Sequence, residues 1–274
     1  MLKLFTIDQE KCIRCGACAA VCPTSVIAVT KEDGPHAVSR RCIACGHCSA
    51  VCPTSALDHR HAPLEKQPFI DKSHKITAAA AKQFLRSRRS IRCYQEKTVE
   101  RNQLLELLDA ARLAPTGSNA QGVSYLIIDE KKVLAQITEA VISWMEEEIA
   151  ANSAWASYFK GTVKTYRTTK QDVILRNAPC LIIAMAKKIH AARGRDNTHF
   201  SLAYAELYAP TLGLGSCWAG FFEACASAEY PPLLSLLHLP AGVVVTGAIM
   251  AGYPQYSYKR LVDRNPLDVT FWQE

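Results

Sequence analysis

The sequence predicts an α+β chain in two unequal parts, and three observations carry the prediction. A cysteine-rich stretch repeats itself within the first sixty residues, a polar segment with two prolines follows, and three short apolar runs then alternate with stretches of helical character. The length of 274 residues accommodates a small domain joined to a medium one. The parts are placed at residues 1–60, a linker at 61–76 and a larger domain at 77–274. Apolar residues make up 49% of the chain and charged residues 21%, a globular profile that argues against a disordered or fibrous class.

The repeat justifies the first part. Residues 12–25 read CIRCGACAAVCPTS and residues 42–55 read CIACGHCSAVCPTS, identical at eleven of fourteen positions with an offset of thirty. Each copy carries C-x2-C-x2-C-x3-C-P. That run resembles the one in two-cluster bacterial ferredoxins, in which the fourth cysteine of each copy serves the other cluster. The resemblance implies one 4Fe-4S cluster on Cys12, Cys15, Cys18 and Cys52, and a second on Cys42, Cys45, Cys48 and Cys22. Thiolates this close need a tight turn, which Gly16 and Gly46 favour because glycine tolerates positive φ, while Pro23 and Pro53 turn the chain away from the last ligand. A segment so small lacks a sufficient apolar core, so metal is expected to hold it together, with Val21, Ile27, Val29, Val51 and Leu57 as thin packing. Structural zinc is the alternative for cysteines in fours, but zinc sites usually space two C-x2-C pairs across a longer loop.

Cys12 arrives before a signal-peptide core could form, and no apolar run approaches the ~20 residues of a bilayer span, so the expectation is a cytoplasmic protein without membrane contact. Cytosolic thiols stay reduced, which favours metal ligation over disulfides for twelve cysteines. The four outside the repeat, Cys93, Cys180, Cys217 and Cys225, lack metal spacing and are expected to be inert buried thiols. The eight histidines are scattered and read as structural.

Residues 59–75, HRHAPLEKQPFIDKSHK, are polar and follow neither hydrophobic period, which makes them a linker. Residues 77–88 are alanine-rich and helical in propensity, and Thr98 is expected to N-cap a helix with Leu104, Leu108 and Ala111 at helical spacing, ending near Pro115. VSYLIID (123–129), CLIIAMA (180–186) and VVVTGAIMA (243–251) are apolar runs expected as buried strands. Helical stretches at 131–151 and 197–212 lie between them, giving a three-layer or α+β arrangement.

Three segments of the larger domain carry binding chemistry. Arg88-Arg89-Ser90-Ile91-Arg92 sets forked guanidinium donors beside a hydroxyl, as a phosphate requires, although a basic run alone is more often solvated surface. Ala114-Pro115-Thr116-Gly117-Ser118-Asn119-Ala120-Gln121 offers hydroxyls and amides on a loop between a helix and a strand. Gly213-Leu214-Gly215-Ser216-Cys217-Trp218-Ala219-Gly220 closes a helix and opens a strand, with small residues that let backbone N–H groups approach a flat ligand. Each by itself could be only a cap and a turn.

In this order and separation the three segments resemble the nitroreductase family of FMN-dependent oxidoreductases over about residues 84–266. The chain departs from the family's P-S-x-x-N-x-Q loop with Thr116 in place of Ser, and with Gly122 where Pro often follows. The resemblance implies a three-layer α/β/α domain in an intertwined homodimer, with two FMN sites at the interface. It implies that Arg88, Arg89, Ser90 and Arg92 bind the phosphate and the pyrimidine side of the flavin. Thr116, Gly117, Ser118 and Asn119, with Gln121 in the same loop, would come from the partner subunit. Ala219 and Gly220 would bring a backbone N–H to the reactive flavin nitrogen, and Arg260 and Arg264, with Lys259, would be further phosphate donors from the tract after Gly252-Tyr253-Pro254.

The formal charge of +7 then needs no nucleic-acid partner. Eight thiolates add about −8, two oxidised cluster cores return about +4 and a flavin phosphate adds about −2, leaving the holoprotein near neutrality. No stripe of Lys and Arg interleaved with aromatics exists to bind nucleic acid.

The expected function is a relay from the two clusters to FMN, which reduces a small electron-poor acceptor such as a nitroaromatic, quinone or activated alkene. The flavin carries the chemistry, so no catalytic triad or dyad is expected. Trp155, Tyr158, Phe159 and Tyr166 are candidates for stacking on the acceptor, against the alternative that they pack the core. The electron donor would be low-potential, a reduced ferredoxin or NAD(P)H. Two other readings stand beside this one. An NAD(P)H-dependent FMN reductase would use the clusters as exit path or appendage, with no separate Rossmann G-x-G-x-x-G domain present. A redox sensor or electron carrier would have a degenerate flavin site.

Overall fold

The computed structural model describes residues 4–272, which divide into two compact units. The smaller takes the chain up to Ile76 together with Gly117–Ala120, and the larger takes Thr77–Thr116 and the chain from Gln121 onward.

The smaller unit runs β1 (Phe5–Ile7), α1 (Ala17–Ala20), β2 (Ile27–Thr30), β3 (Gly34–Ala37), α2 (His47–Ala50) and β4 (Leu57–His59). Strand β1 pairs antiparallel with β4, and β2 with β3. Gly16 and Gly46 stand just before α1 and α2 at φ 80° and 73°, a conformation that side-chain-bearing residues rarely adopt, so each helix can start directly beside its cysteines. The core is thin, as expected: Cys18, Val26, Ile27, Cys48 and Leu57, with Val29 packed against it. Val21 and Val51 do not join it and are 37% and 38% exposed. Each follows a helix of a single turn that buries its cysteine, and the valine falls beyond that turn.

The polar run that begins at His59 is not all linker. His59 ends β4 opposite Phe5 and is only 2% exposed. Its pairing partner lies fifty-four residues earlier, so local polarity hides the strand.

The larger unit continues with α3 (Ala78–Ser87), α4 (Arg101–Ala111), β5 (Ser124–Ile128), α5 (Lys131–Ala150), α6 (Ala156–Thr169), β6 (Cys180–Lys187), α7 (Ala191–Tyr208), β7 (Gly215–Trp218), α8 (Gly220–Ser227), α9 (Pro231–Leu237) and β8 (Val243–Gly252). The strands form an antiparallel sheet in the order β5-β6-β8-β7. Side chains of β6 alternate between two cores. Leu181, Ile183 and Met185 meet Ile137 and Met145 of α5, Phe222 of α8 and Leu233 of α9. Cys180, Ile182 and Ala184 meet Leu107 of α4 and Leu202 of α7. Helices therefore cover both faces, which makes the larger unit three-layered and explains why CLIIAMA is apolar at every position rather than at every second one.

Two helix starts show what local sequence decides. Thr77 caps α3, its Oγ1 accepting the Ala80 N–H at 3.2 Å. Thr98 does not cap α4, which begins at Arg101 behind an extended Glu100. Buried Val99 packs in the core beside Leu104 and Leu107, so the chain enters the helix two residues later than capping chemistry suggests. Among the described residues no helix is long and apolar enough to cross a membrane.

Gly215 joins the fold to the candidate site. A Cβ there would lie 2.4 Å from Ile91 Cγ1 and 2.8 Å from Pro254 Cγ. Gly215→Ala is expected to destabilise the larger unit by about 1–3 kcal/mol through overpacking, read as a lower denaturant midpoint with unchanged m-value.

Candidate functional site

The smaller unit gathers its cysteines in two sets. Cys22, Cys42, Cys45 and Cys48 line one hollow with Ile27 and His59, and Cys12, Cys15, Cys18 and Cys52 line another with Ile7 and Leu57. Each set draws one member from the other copy of the repeat. No disulfide forms among them. Among the described residues no three or more His, Cys, Asp or Glu side chains converge closely enough to hold a single metal ion. The two hollows each hold the four cysteines that the repeat's resemblance to two-cluster ferredoxins assigns to one cluster.

The crossing cysteines differ from the rest. Burial opposes ionisation of Cys22, but the N–H groups of Val26 and Thr24 and the Thr24 hydroxyl outweigh it and hold the thiol below its ordinary range. Burial likewise opposes ionisation of Cys52, and N–H groups of Thr54 and Ala56 with the Thr54 hydroxyl again prevail. Cys18 and Cys48 are pushed up by burial. These N–H and hydroxyl groups favour the thiolate form of the two shared sulfurs, which is the form that ligates iron.

In the larger unit the run Arg88–Arg92 lies along β7: Ser90 bridges to Ser216, and the Ile91 N–H donates to the Ser216 carbonyl at 2.9 Å. Arg88 Nη1 lies 3.7 Å from Glu206 Oε1, a carboxylate whose side chain is only 13% exposed. Burial raises Glu206 above its ordinary range, with Arg88 and Ser216 opposing. Arg89 donates to the Arg260 carbonyl, its guanidinium lies 5.2 Å from the Tyr258 ring centroid, and its buried Nε has no hydrogen-bond partner among the described residues. Such an orphaned donor is what a phosphate oxygen would satisfy. Among the described residues Arg92 has only a long 3.4 Å bond to the Ser90 carbonyl.

The closing tract is tied to this run through its backbone. Arg86 Nη2 donates to the Val262 carbonyl at 3.1 Å, while the side chains of Lys259, Arg260 and Arg264 are exposed.

The turn from Thr116 to Gln121 is divided. Thr116 Oγ1 accepts the Gln121 N–H at 3.0 Å within the larger unit. Gly117–Ala120 belongs to the smaller unit, where Asn119 Nδ2 donates to the carbonyls of Ile43 at 3.0 Å and Ala44 at 3.1 Å. Ser118, Asn119 and Gln121 all have positive φ, between 47° and 55°. Three such residues in four mark a strained turn of the kind that clusters at binding sites.

A cavity of about 850 Å³ opens in the larger unit. Trp155, Tyr158, Phe159 and Phe221 line it, with Arg92, Arg176, Cys217, Trp218 and Gly220. The Trp155 and Phe159 rings stack at 6.3 Å, and Tyr158 lies 5.9 Å from Phe221. Tyr166 is not among the lining residues; its hydroxyl donates to Glu139 Oε2 at 2.9 Å. Tyr166 lies on α6 with Phe159, but the i, i+7 spacing sets it two turns away.

Gly220 opens α8, where its N–H has no intrahelical acceptor, whereas the Ala219 N–H is already bonded to the Ala248 carbonyl at 2.9 Å. Of the two, Gly220 is the N–H able to meet a ligand. Cys180, Cys217 and Cys225 are buried and held up by burial, but Cys93 is exposed.

Three site features had no expected role in the sequence. Arg176, in the cavity wall at φ 58°, carries no motif. The partnership of Glu206 with Arg88 spans the chain. His59 lies against Cys42, its Nε2 3.3 Å from the sulfur, and burial is the main cause that lowers its pKa. The only signal for His59 was its position, which the repeat aligns with Val29.

Comparison with known proteins places this geometry. Residues 85–253 match the nitroreductase family, and residues 4–75 match the 4Fe-4S dicluster domain. The chain belongs to the nitroreductase family and carries a 4Fe-4S dicluster domain ahead of that fold. It is 24% identical to a putative NADH dehydrogenase/NAD(P)H nitroreductase of Archaeoglobus fulgidus over 62% of this chain and 82% of that protein. It is also 24% identical to an iodotyrosine deiodinase of Thermotoga neapolitana, over 62% and 86%. Its fold resembles the crystal structure of a nitroreductase with bound FMN from Bacteroides fragilis, at a TM-score of 0.55 and 19% identity, covering 69% of this chain and 97% of that one.

Proposed function

We propose that this chain is an FMN-dependent oxidoreductase in which two 4Fe-4S clusters supply electrons to the flavin for reduction of a small electron-poor acceptor. One observation carries the reading: two four-cysteine hollows and a nitroreductase-family domain with a guanidinium- and aromatic-lined cavity are parts of a single polypeptide. The cluster ligands are Cys12, Cys15, Cys18 and Cys52, and Cys42, Cys45, Cys48 and Cys22.

Bound FMN supplies the conversion between one-electron and two-electron chemistry. The residues of the chain do the rest. Arg88, Arg89 and Ser90 hold the phosphate, with Arg260, Arg264 and Lys259 as further donors on a tract whose backbone is already fastened to the run. Arg92 orients the pyrimidine side, and Gly220 offers its N–H to the reactive edge. Trp155, Tyr158 and Phe159 exclude water and stack on the acceptor. Thr116, Gly117, Ser118, Asn119 and Gln121 complete the site from the partner of a homodimer. The dimer reading is supported by the apolar side chains left uncovered in one chain, Phe200 and Tyr204 on α7 and Phe271 and Trp272 near the C-terminus, the last two 82% exposed.

The relay is tested by reducing the clusters with reduced ferredoxin in the absence of nicotinamide. The flavin band should bleach, and a flavin that stays oxidised overturns the reading. A second reading, hydride donation by NAD(P)H into the same cavity, is favoured by the description of the Archaeoglobus relative. Rapid bleaching by NADH or NADPH in stopped flow supports it.

The aromatic cap makes its own prediction. Tyr158→Ala is expected to raise KM for an aromatic acceptor about three- to tenfold, the value of one aromatic contact. Tyr166→Phe, which removes only an exposed bond to Glu139, is expected to leave KM unchanged. Steady-state kinetics of the two variants side by side check it.

A further inference from the structure

We propose that His59 tunes one cluster only, donating its Nε2–H to Cys42 Sγ and so making the cluster of the second copy easier to reduce than its cysteine cradle alone would make it. The proposal rests on the cluster-ligand assignment above.

The tautomer follows from the hydrogen bonds. The His61 N–H donates to His59 Nδ1 at 3.1 Å, which makes Nδ1 an acceptor and leaves the ring proton on Nε2. That nitrogen lies 3.3 Å from Cys42 Sγ. A donor aimed at a cluster thiolate stabilises the reduced cluster, with its extra negative charge, more than the oxidised one, and hydrogen bonds to sulfur are among the determinants of cluster potential.

The repeat supplies an internal control. Thirty residues before His59 stands Val29, which has no proton to give. Around the two crossing cysteines the cradles are matched. Val26 N–H reaches Cys22 Sγ at 3.4 Å and Ala56 N–H reaches Cys52 Sγ at 3.2 Å, while Thr24 and Thr54 approach the same sulfurs at 3.8 and 3.7 Å. Among the described residues, Cys42 and not Cys12 also receives a turn N–H, from Ala44 at 3.4 Å. That turn is clamped by Asn119, which donates to the carbonyls of Ile43 and Ala44. The corresponding turn in the first copy has an exposed Arg14 whose guanidinium bonds to the Lys31 carbonyl. Its charge acts on the other cluster through solvent, where screening weakens it.

Reduction adds one electron from the low-potential donor to the cluster core. No bond breaks and no proton is taken up. The His59 bond therefore biases an electron shared between the two clusters toward the second.

The test is an EPR-monitored redox titration of the full-length protein and of His59→Val, which gives the second copy the residue of the first. The variant should make one cluster about tenfold harder to reduce, a fall of about 59 mV for a one-electron couple, and leave the other fixed. Two unmoved midpoints, or two that shift together, overturn the proposal. Should the variant lose iron, the wild type decides: pulsed EPR of reduced protein labelled with 15N-histidine should show an imidazole nitrogen coupled to a cluster, and its absence overturns the proposal. Failure of the ligand assignment looks different, because the wild type itself would then lack eight irons and two cluster signals.

Discussion

Cys52→Ala is expected to empty the hollow built mainly by the other copy of the repeat. Cys52 lies with Cys12, Cys15 and Cys18 rather than with its sequence neighbours Cys45 and Cys48. Iron content should fall from about eight to about four per chain, and the surviving EPR signal should be that of the second cluster. The loss should extend to folding. The core of the smaller unit is thin and counts Cys18 and Cys48 among its buried members, so removing one cluster also removes one of the two crosslinks between copies. The smaller unit is expected to melt at a lower temperature while the second cluster still joins its two copies. Cys93→Ala is the control: that thiol is exposed and outside both sets, so iron content and melting should not change. A Cys52→Ala protein that still holds eight irons would sink the crossed assignment.

The second large effect concerns Arg92. Among the described residues its guanidinium makes one long bond, to the Ser90 carbonyl, so Arg92→Ala should leave the melting temperature of the apoprotein unchanged. A hydrogen bond from a charged donor contributes about 1.5–3 kcal/mol, so FMN should bind about ten- to 150-fold more weakly, as measured by flavin fluorescence titration. Arg88→Ala should behave differently. It strips the half-paired Glu206 of its cation and is expected to destabilise the apoprotein as well as weaken binding. Unchanged FMN affinity in Arg92→Ala would remove this residue from the site.

Much of this architecture was legible in the sequence because it follows from covalent spacing or from apolar runs. The gathering of Cys22 with Cys42, Cys45 and Cys48 is implied by the resemblance of the repeated run to two-cluster ferredoxins, and β6 lies in an apolar run too short for a helix. What stayed hidden depends on distant partners. His59 is one polar residue among several until β4 is seen beside β1. Glu206 looks like an ordinary helix glutamate until β7 brings Ser216, and Ser90 with it, to that helix. Thr98 has the right chemistry for a cap, but buried Val99 takes the chain past it. Tyr166 shares a helix with Phe159 yet stands two turns farther along it, a distinction that composition cannot make.

The assignment of Gly117–Ala120 to the iron-binding unit has an evolutionary corollary. A module exchanged between proteins as one continuous stretch of gene must stop at its own ends, and this one does not: four of its residues are encoded some forty codons downstream. Shuffling the first seventy-six codons onto another flavoprotein would leave Ile43 and Ala44 without the amide that clasps them.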